Sequence, residues 1–213
     1  MFKQLAFIVA TMAMLSGCAA SRSVVTPDMG RVAQNPAQGV AVRINQVDDM
    51  RHFDSSPPEA DMSSLSESDV HNVALTSRAI ARKRNGYGMA LGDVLLPEGE
   101  TVAKLISGAV SQGFRRAGYR VLTKDDPGYD QAVPVNARIN EFWSWARPGF
   151  GSITIYNRAD VTLVGELPAL SGGPTVRTEV AQPLQLVFED DWRQIISRGL
   201  GDLVEKVRAT VAR

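Results

Sequence analysis

The chain has 213 residues, of which 44% are hydrophobic, and its 23 basic side chains balance 23 acidic ones. This composition is typical of a folded globular protein of one domain. The zero net charge argues against bulk electrostatic binding to nucleic acid. With one cysteine and two histidines, the chain has no residues for a disulfide framework and few for a metal site.

The first element in chain order is a secretory signal. Lys3 supplies a positive charge, Leu5 to Leu15 is an apolar run broken by Thr11, and the sequence Leu15-Ser16-Gly17-Cys18 follows. The run is shorter than the roughly 20 residues that a membrane-spanning helix needs. A cysteine at the cleavage point resembles the lipobox of bacterial lipoproteins. An ordinary cleavage site at Cys18-Ala19-Ala20 is the alternative.

The lipobox resemblance implies that residues 1–17 are removed and that Cys18 is acylated. Bacterial lipoproteins carry three acyl chains on this cysteine, and about 0.8 kcal/mol per buried CH₂ makes such an anchor essentially permanent. The next residue is Ala19 and not Asp. By resemblance to lipoproteins of Gram-negative bacteria, this favours an outer-membrane location with the domain facing the periplasm.

Composition divides the rest of the chain. Residues 18–39 are rich in Ser, Pro, Gln, Asn and Gly, which predicts an acylated N-terminus followed by a flexible tether. A single periplasmic domain is predicted for 40–213, with its first strand at 40–47. A polar and basic insert follows at 48–96. Its loop is interpreted as solvated or disordered, and a β-hairpin is centred on Asn85-Gly86.

The second half of the chain has the clearest periodicity. Apolar residues at i, i+3 and i+4 spacing predict a helix over 100–117, and a longer apolar stripe predicts a final helix that begins at Asp190 or Asp191. A short strand after Gly118 and three longer strands are predicted between them; the longer ones span 133–145, 152–167 and 176–188. The predicted fold is α+β, a mainly antiparallel sheet of about four to six strands packed against two amphipathic helices.

Alternation within these strands predicts which side chains are buried. It places Val135, Ala137 and Ile139 on one face of their strand. In the last strand it places Leu186 and Phe188 on the apolar face, and Pro183 indicates an edge position or a bulge.

An aromatic tip is one candidate binding site. Trp143 and Trp145 share a strand face close to Arg147 and Phe150. Aromatic residues with arginine are common anchors of interfaces. The alternative is that the two tryptophans pack against the C-terminal helix.

A basic turn is the other candidate binding site. Arg82, Lys83 and Arg84, with Arg78 nearby, could bind lipid phosphates or an acidic partner. The alternative is a solvated hairpin tip whose charge Glu67 and Asp69 neutralise.

Catalytic patterns are absent from the sequence. His52 and His71 lie in the polar insert without a His-x-x-x-His spacing, and no Gly-x-Ser-x-Gly occurs. The acidic cluster Glu189-Asp190-Asp191 stands where carboxylates cap a helix. We therefore expect no catalytic residue, no cofactor and no metal.

Several segments carry a family resemblance. They are Thr101-Val102-Ala103-Lys104-Leu105-Ile106 continuing to Ala117-Gly118-Tyr119-Arg120-Val121, then Val135-Asn136-Ala137-Arg138-Ile139, then Ile155-Tyr156-Asn157-Arg158-Ala159-Asp160-Val161 and the final helix. Over residues 40–211 the chain resembles the YajG-like family of bacterial lipoproteins. The resemblance implies a periplasmic domain anchored to the outer membrane, with no known reaction and no catalytic residue to transfer.

The expected function is therefore that of a non-enzymatic lipoprotein. It is anchored in the membrane by lipid on Cys18 and binds another cell-envelope component, either an envelope protein or a glycolipid. One alternative is an accessory lipoprotein of a lipid or lipopolysaccharide transport or assembly system, with an acyl chain on the apolar side of the sheet. An envelope hydrolase is the less favoured alternative.

Overall fold

A computed structural model describes residues 22–212; Cys18 and the predicted signal lie outside this range. The described residues form one mixed sheet of eight strands with three α-helices. The strands are β1 Ser23–Val24, β2 Ala41–Asp49, β3 Ala79–Arg84, β4 Ala90–Leu95, β5 Arg120–Val121, β6 Val133–Pro148, β7 Ile153–Gly165 and β8 Thr175–Leu184. The helices are α1 Val73–Thr76, α2 Val102–Arg116 and α3 Glu189–Val211.

The long strand β6 organises the sheet. One of its edges pairs in parallel with β2, from Val42 opposite Val133, and then with β3 at Ala81 opposite Ser144. Its other edge pairs antiparallel with β7, and β8 follows as an edge strand that contains Pro183. Two short outer strands, β1 and β5, are also parallel to their neighbours. The fold is broadly α+β as predicted, but eight strands exceed the predicted four to six, and antiparallel pairing is limited to β3–β4 and β6–β7–β8.

Capping residues mark both ends of α2 and the start of α3. The Thr101 hydroxyl accepts a hydrogen bond from the Lys104 N–H at the start of α2, and Gly118 follows its end with φ of +92°. At the start of α3, the Asp191 carboxylate accepts a hydrogen bond from the Phe188 N–H at 2.7 Å. The prediction that the acidic cluster caps this helix is confirmed for Asp191.

The apolar stripes of α2 and α3 cover one face of the sheet and form the main core with it. The predicted inward residues Val135, Ala137 and Ile139 are fully buried there. Leu186 and Phe188, in contrast, are exposed, because β8 ends at Leu184 and the chain leaves the sheet before it reaches them.

A β-bulge in β6 exchanges the two faces of this strand. The register with β7 shifts between Ile139 and Glu141. Before the bulge, odd-numbered residues face the helices; after it, Phe142 belongs to the helix-side core, whereas Trp143 and Trp145 face the other way. One extra residue in a strand has this effect because side chains alternate with a period of two.

The polar loop of the insert, predicted to be solvated or disordered, is instead part of a folded cover over that second face. Leu65 is fully buried and packs in a second core with Trp143 and Trp145, and partly buried apolar residues of the insert complete it: Phe53, Ala60, Val70 and Leu75. The insert also contains the predicted hairpin, since β3 and β4 pair antiparallel on either side of the turn at Asn85-Gly86.

Residues 22–39 differ from the predicted flexible tether, because they lie against the domain. β1 pairs with β4, Val25 is buried in the main core, and Met29 packs against it. The Asn35 side chain donates to the Val121 carbonyl and accepts from the Val121 N–H, both at 2.9 Å. The polar composition of residues 22–39 does not indicate that they pack against the domain, because only a few apolar residues and one amide side chain make the contacts.

A close approach of α3 to the sheet gives a testable expectation. A Cβ atom at Gly199 would lie 1.8 Å from Oδ1 of the buried Asn157, whereas one at Gly201 meets nothing within 4 Å. We expect Gly199→Ala to lower the free energy of unfolding by about 1–3 kcal/mol through overpacking. Gly201→Ala should raise it by up to about 1 kcal/mol through helix propensity. Urea denaturation followed by circular dichroism measures both, and equal stabilities for the two variants would contradict the close approach.

Candidate functional site

The two tryptophans of the predicted aromatic tip are core residues. The exposed fractions of Trp143 and Trp145 are 0% and 2%. Trp145 stacks on Tyr156 with ring centroids 5.0 Å apart, and Phe53 meets Trp143 edge-on at 5.9 Å. Their prediction as binding residues is therefore wrong, and so is the alternative of packing against α3, because the insert covers them.

The other half of that predicted tip remains at the surface. Phe150 is fully exposed in the β6–β7 turn, and the Arg147 side chain is 52% exposed. One guanidinium nitrogen of Arg147 lies 3.4 Å from the Asp61 carboxylate. Arg147 and Phe150 therefore remain candidate binding residues, although Trp143 and Trp145 do not.

Ion pairs cross the insert-covered face of the sheet beside Trp145. The Arg158 guanidinium lies 4.7 Å from the Trp145 ring centre and contacts carboxylates of Glu179 at 2.8 Å and Glu141 at 3.2 Å. Burial works against its charge, but the Glu179 hydrogen bond and the nearby carboxylates raise the pKa of Arg158. Burial raises the pKa of Glu141, with Arg158 opposing that effect. One guanidinium thus bridges carboxylates on β6 and β8, which suits the cluster to hold neighbouring strands together.

The predicted basic turn forms its ion pairs with acids other than Glu67 and Asp69, although the charge of Arg82 also acts on Asp69. The Arg82 guanidinium lies 3.7 Å from the Asp93 carboxylate, and the Lys83 ammonium lies 2.5 Å from Glu189 at the start of α3. Arg84 makes no ion pair within the described residues; it donates to the Gly88 carbonyl and the Ser64 hydroxyl. Arg84 is thus the cation of this turn that keeps its charge uncompensated.

Charged side chains beside the basic turn also hold Arg22 and Ser23 in place. Arg22 forms ion pairs with Asp69 and Asp93, and the Lys83 ammonium also donates to the Ser23 hydroxyl. The Ser66 hydroxyl and then Arg22 lower the pKa of Asp69. Burial raises the pKa of Asp93, although Arg82 and Arg22 oppose the shift. The pairing of Asp69 and Asp93 with Arg22 was not predicted, since β1 itself was not predicted.

Three connections meet at one end of the sheet, which we call the loop end: the β3–β4 turn 85–89, the β6–β7 turn 149–152 and the segment 185–188. They share an end because β3 and β6 are parallel and Ile153 pairs with Leu184 of β8. Of the eleven exposed large apolar side chains among residues 22–212, five lie here, and Leu91 follows at the start of β4: the five are Tyr87, Met89, Phe150, Leu186 and Phe188. Exposed apolar clusters of this kind commonly mark interaction sites.

The N-terminal chain also approaches from the loop end. β1 is parallel to β4, with Ser23 opposite Val94, and Val94 is opposite Ala81 of β3. Because β4 runs away from the loop end and β1 is parallel to it, Arg22 lies on the loop-end side of Ser23. Arg22 follows this direction, since its guanidinium contacts Asp93.

One surface depression of about 450 Å³ has several charged side chains in its wall, Glu141, Arg158, Arg177 and Lys206. The helix-side face of the sheet is closed by α2 and α3, whose inward side chains are buried. The transport alternative places an acyl chain on that apolar face, which side chains of α2 and α3 occupy.

The two histidines come together in a way that their spacing did not indicate. His52 and His71 line one depression of about 370 Å³ beside Arg51 and Asp49. Within residues 22–212, no group of three or more His, Cys, Asp or Glu side chains could hold a metal ion.

Comparisons with known proteins name no activity for this fold. No family model and no curated protein sequence matches the chain, so the YajG-like resemblance stays a prediction. Among solved structures, an uncharacterised protein matches 90% of this chain and 100% of its own at 9% identity and a TM-score of 0.44. A Xanthomonas campestris protein with the family designation DUF330 matches 87% of this chain and 91% of its own at 15% identity and a TM-score of 0.42.

None of the helices between residues 22 and 212 combines the length and the apolar character required to cross a membrane.

Proposed function

We propose that this protein is a membrane-anchored bacterial lipoprotein whose non-catalytic periplasmic domain binds another cell-envelope component. The lipobox-like sequence that ends at Cys18 supports the anchor, and Ala19 supports sorting to the outer membrane. The observation that carries the proposal is the approach of the N-terminal chain to the loop end, where the exposed apolar residues cluster. Lipid on Cys18 would hold this surface beside a membrane.

The binding surface in this proposal is the loop end. It keeps Arg147 and Phe150 of the predicted aromatic tip and adds the β3–β4 turn with the almost fully exposed Tyr87 and the unpaired Arg84. Aromatic side chains and arginine supply contact area and directional hydrogen bonds at small entropic cost.

The anchor is tested by fractionating cells that express the full chain. We expect the wild-type protein in the outer-membrane fraction, with acyl groups on an N-terminal Cys18 by mass spectrometry. Cys18→Ala should abolish the acylation and shift most of the protein out of the membrane fraction. A wild-type protein without acyl groups would contradict the proposed function.

The binding surface is tested in the same cells with a photo-crosslinking amino acid at Phe150 or Tyr87. A defined adduct from these positions supports the proposal. The matched control is Ser171, an exposed residue in the β7–β8 connection at the other end of the sheet. Equal and scattered products from all three positions would count against a binding role for the loop end.

A further inference from the structure

We infer that the loop end docks directly on the bilayer that holds the lipid of Cys18, with its apolar side chains in the membrane interface. This inference rests on the proposed function, because it requires the acylated cysteine. The envelope component that the loop end contacts is then the lipid surface itself.

The turns of the loop end reach nearly the same height. Measured from the Ala81–Ser144 pair, β3 continues for three residues to Arg84 and β6 for four to Pro148. At about 3.3 Å per residue, these strand ends stand about 10 and 13 Å above the pair. From β4 to β8 the strands span about 19 Å at a spacing of about 4.8 Å. Two turns and the segment after β8 thus form a broad, level end that fits a flat surface.

The lipid cannot lie far from this end. Ser23 stands at the height of the Ala81–Ser144 pair, because Val94 pairs with both Ser23 and Ala81. Cys18 stands five positions before Ser23 in the sequence, and a fully extended chain covers at most about 3.6 Å per residue, or about 18 Å in total. Cys18 can therefore extend only a few Å beyond the strand ends. Acyl chains attached there can enter a bilayer only if the bilayer surface lies close to the domain.

The side chains at this end suit a membrane interface. Tyr87 and Phe150 project from separate turns, and Met89, Leu186 and Phe188 add exposed apolar surface between and beside them. Aromatic and aliphatic groups of this kind bind at the boundary of headgroups and acyl chains. Arg84, without an ion pair in the described part of the chain, and the half-exposed Arg147 can meet lipid phosphates.

The test uses the full, acylated protein reconstituted in vesicles of phosphatidylethanolamine and phosphatidylglycerol at 3:1. Acylation occupies the only native thiol, so a single new cysteine can carry an environment-sensitive fluorophore. Phe150→Cys and Met89→Cys place it on two separate turns of the loop end, and Ser171→Cys is the matched control about 30 Å away along β7. Lipids with spin-labelled acyl chains then quench any fluorophore that lies in the membrane interface.

We expect at least twofold stronger quenching at positions 89 and 150 than at 171, with blue-shifted emission at the first two. Equal, weak quenching at all three positions in protein whose acylation is verified by mass spectrometry would overturn the docking inference and leave the proposed function standing. A single protein adduct from Phe150 in cells, in place of lipid adducts, would also overturn it in favour of a protein partner. Absence of acyl groups on Cys18 would overturn both.

Discussion

Arg51→Ala should lower the free energy of unfolding by about 3–5 kcal/mol, one of the two largest effects expected in this protein. The Arg51 side chain is only 1% exposed. Its guanidinium forms a two-pronged ion pair with Asp49 at 2.8 and 2.7 Å and donates to three backbone carbonyls, those of Ala79, Thr76 and Phe142. Removing it leaves these acceptors and a carboxylate without their donor, and unpaired polar groups are costly when buried.

The effect is measured by urea denaturation beside two controls. Arg51→Lys keeps the charge but cannot reproduce the planar fork, so we expect an intermediate loss of stability. Arg147→Ala removes a half-exposed guanidinium with one ion pair at 3.4 Å, and we expect a change below about 0.5 kcal/mol. If Arg51→Ala were no more destabilising than Arg147→Ala, the structural role assigned to Arg51 would be refuted.

Trp143→Ala should lower the free energy of unfolding by a similar amount, about 3–5 kcal/mol, because it leaves a large cavity between the sheet and the insert. The indole N–H of Trp143 has no hydrogen-bond partner. Trp143→Phe therefore loses volume without breaking a hydrogen bond, and we expect less than about half of the Ala effect. Thermal and urea denaturation, with near-ultraviolet circular dichroism as a readout of aromatic packing, measure both variants.

An exposed aromatic residue at the loop end, Phe150, is the matched control for Trp143. Phe150 is fully exposed, so Phe150→Ala should change the free energy of unfolding by less than about 0.5 kcal/mol. An equal loss of stability in Trp143→Ala and Phe150→Ala would disprove the assignment of Trp143 to the core and Phe150 to the surface.

Local periodicity predicted the parts of the fold that local chemistry determines. The apolar stripe of α2 was predicted over 100–117 and is found at Val102–Arg116, because Thr101 and Gly118 define its ends. Alternation likewise located β6, β7 and β8, since each buries one face against the helices. The short strand predicted after Gly118 is found as β5, whereas β1, with two residues, is too brief to show a period and was not predicted.

The candidate site could be predicted only in part, because a bulge has no clear signature in the sequence. Strict alternation would place Trp143 and Trp145 on the same face as Val135 and Ile139. The register shift after Ile139 sends them to the opposite face, where the insert buries them. Phe150 was identified correctly as a tip residue because the turn that carries it is local.

Pairings between distant residues account for the rest of what the sequence did not reveal. Lys83 pairs with Glu189, which lies 106 residues away, although Glu67 and Asp69 are much nearer in the chain. The docking of Val25 similarly depends on β4, a strand far along the chain. Such contacts follow from the topology of the sheet and not from any local pattern.

The central position of β6 also fixes the order in which the protein can fold. Until residues 133–148 are available, β2 with its short partner β5 and the β3–β4 hairpin are separate pieces without a common strand. Joining them requires closure of long loops, whose entropic cost makes folding slow. A chain synthesised from its N-terminus therefore cannot complete its sheet until residues 133–148, well past the middle of the sequence, have been made.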